Sequence, residues 1–206
     1  PDAPIDPLTR WSAARFGVYI HFPYCVSKCP YCDFASTAAK EVPEARYAKA
    51  IVRELQQRLE AFGVSGRQVH SVFFGGGTPS LWHPRYVGEV LEALGARLSL
   101  APRAEVTLEA NPGAADAERF SGFRAAGVNR LSMGVQSFHL QTLKTLGRSH
   151  DGAQAHRAFE AARAAGFDPV KQHFAPGRRT LDHLDRAVEQ QRKPQTISVF
   201  RENLRA

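Results

Sequence analysis

The chain alternates between short runs of apolar residues and longer segments in which apolar positions recur every three or four residues. The short runs have the length of buried strands, and the longer segments have the spacing of amphipathic helices. Regular alternation of the two is typical of a parallel sheet covered by helices. The predicted strands lie at residues 17–21, 71–74, 105–109, 130–135, 168–174 and 196–200.

Five helices are predicted between and after these strands. The first has Pro43 in its first turn and Gly63 at its end, which are favoured places for these two residue types. Its apolar stripe consists of Ala48, Ile51, Val52, Leu55, Leu59 and Phe62. The other helices begin at Pro84, cover residues 114–126 and 151–165, and follow Thr180.

The number of strand–helix units predicts an α/β fold, a partial (β/α)6 barrel with a curved parallel sheet inside and helices outside. A closed barrel of eight units usually takes about 250 residues, more than the 206 present here. In such folds ligands bind at the carboxyl ends of the strands. We expect residues 1–206 to form a single domain.

Composition narrows the possible functions. Hydrophobic residues make up 43% of the chain and charged residues 23%, as in soluble globular proteins. The net charge of +7 comes mostly from arginines scattered through the helical segments, a pattern that does not favour nucleic-acid binding. No apolar segment is long enough to span a membrane, and the N-terminus lacks the pattern of a secretory signal. A cytoplasmic location is the expectation.

All three cysteines, Cys25, Cys29 and Cys32, lie within eight residues directly after the first predicted strand. An odd, tightly grouped set does not form a disulfide framework and indicates a reducing compartment. Pro23 and Pro30 predict a loop rather than a helix. Thiolates are the usual ligands of iron–sulfur clusters, and three of them leave one iron of a [4Fe–4S] cube open for reaction.

Two alternatives to the cluster stay open at this point. One is a zinc ion held by the three cysteines and one of the eight histidines of the chain. His21 is the nearest in sequence, but its position within the first strand favours a packed structural role. The other alternative is a set of buried, unreactive thiols, which is uncommon in a proline-rich loop.

Distinctive residues also follow the next three strands. Gly75, Gly76 and Gly77 end the second strand and would expose backbone N–H and C=O groups to a ligand. Glu109 ends the third strand, where a carboxylate can accept from a ribose hydroxyl or an ammonium group. Gln136 and Arg148 follow the fourth, and the guanidinium fork of arginine suits a carboxylate.

The CxxxCxxC spacing, with the aromatic Tyr31 before the last cysteine, resembles the signature of the radical S-adenosylmethionine (SAM) superfamily. This resemblance implies that the open iron is chelated by the amino and carboxyl groups of SAM, whose cleavage yields a 5′-deoxyadenosyl radical. It also implies a set of SAM-contacting residues by position. They are Tyr19, Tyr31, Gly76, Gly77, Thr78, Glu109, Gln136 and Arg148.

Residues 17–167 resemble one branch of this superfamily, the oxygen-independent coproporphyrinogen III oxidases and the HemW-type haem chaperones. In the oxidases a fourth cysteine usually stands two positions after the third, whereas Cys32 is followed by Asp33 and Phe34. This difference favours the chaperone type, which implies haem binding, delivery to an acceptor protein and an electron donor. The alternative is an enzyme that decarboxylates coproporphyrinogen III oxidatively.

The resemblance weakens after Pro169. Residues 170–179 are shorter and more polar than in the family, an expected aspartate is missing, and Lys171 and His173 stand at positions that should face the core or SAM. Because a buried unpaired charge is costly, we expect this strand to be frayed or displaced. Family members continue beyond the sixth strand, so residues 1–206 are expected to be a truncated core without the C-terminal domain.

Overall fold

A computed structural model of the chain describes residues 16–114, 117–168, 170–174 and 195–199. The first third contains the strands β1 (Phe16–Phe22), β2 (Tyr24–Cys25) and β3 (Thr37–Ala38) and the helix α1 (Glu44–Phe62). The central part contains β4 (Gln68–Gly76), α2 (Pro84–Gly95), β5 (Ser99–Ala110), α3 (Ala117–Ala125) and β6 (Arg130–Gln136). The last part contains α4 (Leu140–Thr145), α5 (Gly152–Ala164), β7 (Val170–Phe174) and β8 (Gln195–Val199). Two 3₁₀ turns lie at Pro79–Leu81 and Pro112–Ala114.

Six strands form one parallel sheet in the order β7-β6-β5-β4-β1-β8. All six strands predicted from the sequence are present in it. β7 and β8 are the two edge strands and do not pair with each other, so the described strands form an open sheet. β1 is an inner strand between β4 and β8. Neighbouring helices pack in the order α1, α2, α3 and α5. The expected parallel, partly open α/β architecture is confirmed.

The expectation that the fifth strand is frayed or displaced is wrong for the backbone. β7 pairs with β6 from Leu131↔Val170 to Gln136↔Phe174, with one irregularity between Gly134 and Gln136. Parallel pairing uses main-chain groups, which polar side chains do not remove. Polarity at Lys171 and His173 therefore does not prevent the ladder from forming.

The predicted helices agree with the structure in four cases. Pro43 immediately precedes α1, and Gly63 ends it in the left-handed conformation at φ 62°. Phe62, predicted on the buried stripe, is 49% exposed, because it is the final residue of the helix, where the stripe has already left the core. The helix expected after Thr180 lies outside the described residues. The short α4 was not predicted from the sequence.

An aromatic cluster packs around the end of β1. Phe22 stacks on Trp82 with ring centroids 5.2 Å apart, and Tyr24 and Tyr47 pack edge-on against Phe22. All four rings are buried, and the Tyr47 hydroxyl donates to the carbonyl oxygen of His21. Buried aromatic pairs contribute both apolar area and preferred ring geometry. The end of β1 is thereby fixed just before the cysteine loop begins.

Candidate metal and cofactor site

The carboxyl ends of β1, β4, β5 and β6 lie side by side, because these strands are neighbours in a parallel sheet. Phe22 at the end of β1 pairs with Gly76, and Ala110 at the end of β5 pairs with Met133. The structure therefore gathers at one edge of the sheet the glycine run, Glu109 and Gln136, as the sequence predicts.

The cysteine loop follows β1 and is closed by a small parallel ladder between β2 and β3, which is separate from the main sheet. The Thr37 N–H donates to Pro23 O at 2.8 Å, and the Ala39 N–H donates to Cys25 O at 2.9 Å. Within the loop, the Cys32 N–H donates to Cys29 O at 3.1 Å. The three thiols are free and half-buried. The backbone thus closes the loop on itself while its thiols stay accessible.

Two side chains donate hydrogen bonds to cysteine sulfurs. The Thr78 hydroxyl is 3.5 Å from Cys25 Sγ, and the Arg148 Nη1 is 3.7 Å from Cys29 Sγ. The Tyr31 hydroxyl lies against the same Cys29 thiol and the Arg148 guanidinium. Burial raises the pKa of Tyr31, the Cys29 thiol raises it further, and the Arg148 charge opposes this rise. Tyr31 nevertheless stays 43% exposed.

His21 ties the cysteine loop to β1. Its Nε2 is 2.7 Å from the carbonyl oxygen of Ala35, so Nε2 must carry the proton and donate. The other ring nitrogen, Nδ1, then accepts from the Tyr19 hydroxyl at 3.2 Å. Burial lowers the pKa of His21, and the Ala35 carbonyl opposes this shift. The predicted structural role of His21 is confirmed, since both nitrogens are engaged.

The glycine run is packed too closely for any side chain. Gly76 has φ 116°, and a Cβ there would lie 2.5 Å from His21 Cε1. At Gly77 a Cβ would lie 2.6 Å from Tyr24 O. These distances require glycine, because the neighbours are a fixed ring and the main chain.

The N–H groups of this run are used within the protein, contrary to the expectation that they would face a ligand. Gly77 donates to Phe22 O at 2.7 Å, Thr78 donates to Tyr24 O at 2.8 Å, and Gly76 donates to Glu109 Oε2 at 3.1 Å. The run therefore fixes the cysteine loop and the carboxylate.

Glu109 is a partly buried carboxylate. Burial raises its pKa to about 7, although the hydrogen bond from the Gly76 N–H opposes this rise. Burial also raises the pKa of Tyr19, and the nearby Glu109 charge adds to that effect. A cation that binds next to this carboxyl group would stabilise its ionised form.

Gln136 is the only non-glycine residue with a positive φ in the described part of the chain, at 64°. It ends β6, and its Nε2 would be 3.2 Å from a Cβ built on Gly134. Left-handed backbone at a non-glycine residue costs about 1–2 kcal/mol and is often found at functional sites. Gly134 leaves room for both the Gln136 amide and the Arg148 guanidinium.

Arg148 has one nitrogen left over. Its Nη2 donates to Gly134 O at 2.8 Å and its Nη1 donates to Cys29 Sγ, while Nε is buried with no partner among the described residues. A buried unpaired N–H is costly, which points to a missing acceptor. The preceding Gly147 has φ 63°, and a Cβ there would lie 2.9 Å from Pro30 Cδ. Residues 147 and 148 therefore pack against the cysteine loop at Pro30 and Cys29.

His150 was not assigned a role from the sequence. It is buried, its Nε2 donates to Val135 O at 3.0 Å, and its Nδ1 has no partner among the described residues. Burial lowers the pKa of His150, Arg148 lowers it too, and the Val135 carbonyl and Asp151 oppose these effects. The only signal in the sequence was its position two residues after Arg148.

In the described ranges, no three Cys, His, Asp or Glu side chains are arranged around a single ion position. The same part of the chain contains no helix long and apolar enough to cross a membrane.

The sequence profile described as the Radical SAM superfamily matches residues 19–190. Among similar proteins, "Heme chaperone HemW" of Haemophilus influenzae is 41% identical, covering 84% of this chain and 47% of that protein. The protein of the same name from Escherichia coli is 47% identical, covering 73% of this chain and 39% of that protein. The chain spans about half the length of these relatives or less.

A mitochondrial relative and a solved structure extend this picture. Bovine "Radical S-adenosyl methionine domain-containing protein 1, mitochondrial" is 44% identical, over 82% of this chain and 36% of that protein. The structure of coproporphyrinogen III oxidase from Escherichia coli matches with a TM-score of 0.73 and 23% identity. It covers 94% of this chain and 46% of the oxidase. The structural match confirms the predicted fold.

Proposed function

Since the chain belongs to the radical SAM superfamily, we propose that Cys25, Cys29 and Cys32 hold a [4Fe–4S] cluster. The donor set supports this, because three free thiols in one loop suit three irons of the cube and leave the fourth open. When bound, the cluster supplies the electron that cleaves SAM. The backbone hydrogen bonds from Thr37 and Ala39 hold the two ends of the cysteine loop together.

The charged residues beside the loop suit the two ends of the methionine part of SAM. Glu109 is a carboxylate poorly solvated in its partly buried position, so an ammonium group would stabilise its ionised form. Arg148 has an unpaired buried Nε–H, which suits a carboxylate. The residues present therefore fit SAM as a ligand, with the carboxylate at the end of β5 and the guanidinium in the loop between α4 and α5.

The remaining predicted contacts have narrower roles. Tyr19 uses its hydroxyl proton on His21, so only its oxygen lone pairs and ring stay available to a ligand. Gly76 and Gly77 contribute close approach rather than N–H donors. Gln136 offers an amide held by its left-handed backbone. Tyr31, whose side chain is partly exposed, would cover the ligand from the solvent side.

The function that these features support best is haem binding and delivery to an acceptor protein, in the manner of the HemW-type chaperones, with an electron donor as a further partner. The observation that carries this proposal is the sequence after the third cysteine, where Phe34 stands at the position of the fourth cysteine of the oxidases. Sequence identity of 41% and 47% to two proteins named heme chaperones supports it. Phe34 is 66% exposed, which leaves this turn open to a partner.

A second candidate is oxidation of coproporphyrinogen III. The observation that favours it is the structural match to the Escherichia coli oxidase over 94% of the chain.

We also propose that residues 1–206 are a single radical SAM core domain and that the protein works in the cytoplasm. The grouping of three free thiols in one loop supports a reducing compartment.

The deciding experiment is anaerobic iron–sulfur reconstitution followed by EPR of the dithionite-reduced protein with and without SAM. We expect a [4Fe–4S]⁺ signal that changes when SAM is added and is lost in the Cys25→Ala/Cys29→Ala/Cys32→Ala variant. Zinc in place of iron after metal analysis would contradict the cluster. With the cluster intact, haem titration followed by absorbance and anaerobic turnover of coproporphyrinogen III separate the two functions.

A further inference from the structure

The three cysteine sulfurs have different surroundings. Cys25 Sγ accepts from the Thr78 hydroxyl at 3.5 Å, and Cys29 Sγ accepts from Arg148 Nη1 at 3.7 Å. Both distances lie in the range of hydrogen bonds to sulfur, which is larger than oxygen. The Tyr31 hydroxyl also hydrogen-bonds to Cys29 and is left unchanged in the test below. Cys32 Sγ has no side-chain donor among residues 16–114 and 117–168. The proposed cluster would therefore have two ligands with hydrogen bonds and one without.

Neither donor is needed to hold its own segment in place. Thr78 is already fixed by its backbone N–H, which donates to Tyr24 O at 2.8 Å. Arg148 is already fixed by Nη2, which donates to Gly134 O at 2.8 Å. The hydroxyl of Thr78 and the second fork nitrogen of Arg148 are thus additional groups directed at sulfur. Their placement suits an effect on the sulfur itself.

We propose that Thr78 and Arg148 set the reduction potential of the cluster by hydrogen bonding to Cys25 and Cys29. This inference rests on the proposed cluster and assigns the two residues a positioning role that acts through the cysteines. A donor on a thiolate sulfur draws electron density away from the metal and stabilises the more negative, reduced state. Arg148 adds a full positive charge, so its effect is larger than that of the neutral hydroxyl.

The test is a redox titration of the reconstituted protein followed by EPR, without SAM, so that loss of a SAM contact cannot move the result. Each cluster takes one electron from the mediated reductant, and no atoms are gained or lost. In Thr78→Val, which keeps the shape but removes the hydroxyl, the ratio of reduced to oxidised cluster at a fixed potential should fall about tenfold. That fall corresponds to a midpoint lower by about 59 mV.

Two matched variants separate the hydrogen bond from general damage. Thr78→Ser keeps the hydroxyl, and its midpoint should stay close to that of the unmodified protein. Arg148→Gln removes the charge and should lower the reduced fraction by more than Thr78→Val does. If Thr78→Val does not retain its cluster, Arg148→Gln decides. A midpoint unchanged in the variants that lose a donor overturns the inference.

The result also distinguishes this inference from the proposed function. If the unmodified protein assembles no cluster, the proposed function itself fails. If it assembles a cluster with equal iron content in all variants and equal midpoints, the proposed function stands and only the role of Thr78 and Arg148 is wrong. Iron and sulfide are therefore quantified in each sample before the titration.

Discussion

The ends of β4 and β6 lie at the same edge of the sheet, yet their polar groups are satisfied in different ways. At the end of β4, the N–H groups of Gly76, Gly77 and Thr78 all donate within the protein. At the end of β6, Arg148 Nε and His150 Nδ1 are buried without a partner in the described part of the chain. A binding site needs both a rigid frame and unpaired hydrogen-bonding groups. Here the frame is the turn after β4, and the unpaired groups lie in the loop between α4 and α5, which packs against the end of β6.

The largest expected effect is on stability and concerns the frame formed by Gly76, Gly77 and Thr78 after β4. Gly76→Ala places a Cβ against the His21 ring and keeps a positive φ, so we expect it to lower the free energy of unfolding by at least about 3 kcal/mol. Gly66→Ala is the control, because Gly66 has φ 76° but nothing within 4 Å. It should cost about 1 kcal/mol. Urea unfolding measures both, and equal losses would show that packing on His21 does not matter.

The next effect concerns Glu109, which the frame holds through Gly76. The folded state keeps the Glu109 proton up to about pH 7, while the unfolded carboxyl releases it near pH 4.5. The folded state thus binds more protons over this interval, and its stability falls as pH rises from about 4.5 to 7. Glu109→Gln should remove up to about 3 kcal/mol of this pH dependence.

Urea unfolding at a series of pH values checks this prediction. Glu92→Gln, which removes an exposed carboxylate on α2, is the control and should leave the profile unchanged. A profile for Glu109→Gln that is parallel to that of the unmodified protein would mean that Glu109 is not the group responsible.

The smallest effect concerns the unpaired side-chain nitrogens of Arg148 and His150, which lie beside the end of β6. When SAM binds to the cluster-loaded protein, we expect hydrogen exchange in residues 134–150 to slow about tenfold, equivalent to 1.4 kcal/mol. Residues 68–78 should change little, because β4 is an inner strand of the sheet and the turn after it is already fixed by hydrogen bonds within the protein. Exchange measured by mass spectrometry with and without SAM resolves the two segments. Equal slowing of exchange in both segments would contradict the distinction between the rigid turn after β4 and the ligand-binding loop beside β6.

Local sequence patterns predict the strands of this fold well, because buried apolar runs and their flanking turns are local features. They also predict that the glycine run, Glu109 and Gln136 lie near each other, since residues at the carboxyl ends of neighbouring parallel strands meet at one edge of the sheet. The short α4 escapes prediction, because only Leu143 of its six residues is buried. The polarity of residues 170–174 was also misleading, because backbone pairing does not depend on it.

Contacts between distant segments could not be read from the sequence. Arg148 and Cys29 are 119 positions apart, and nothing in either segment indicates that a guanidinium meets a sulfur. The engagement of the glycine N–H groups is a similar case, since it depends on where β1 and β2 end. The unpaired nitrogen of His150 depends on the same kind of packing.

The aromatic cluster below the loop makes the protein its own optical probe. Trp82 is fully buried in that cluster, and the chain has only one other tryptophan, Trp11. In a Trp11→Phe background, all tryptophan emission would come from a ring stacked on Phe22, next to the strand that carries Cys25. Iron–sulfur and porphyrin chromophores absorb in the emission range of tryptophan. Quenching of this fluorescence would therefore time the loading of the site in real time without any added label.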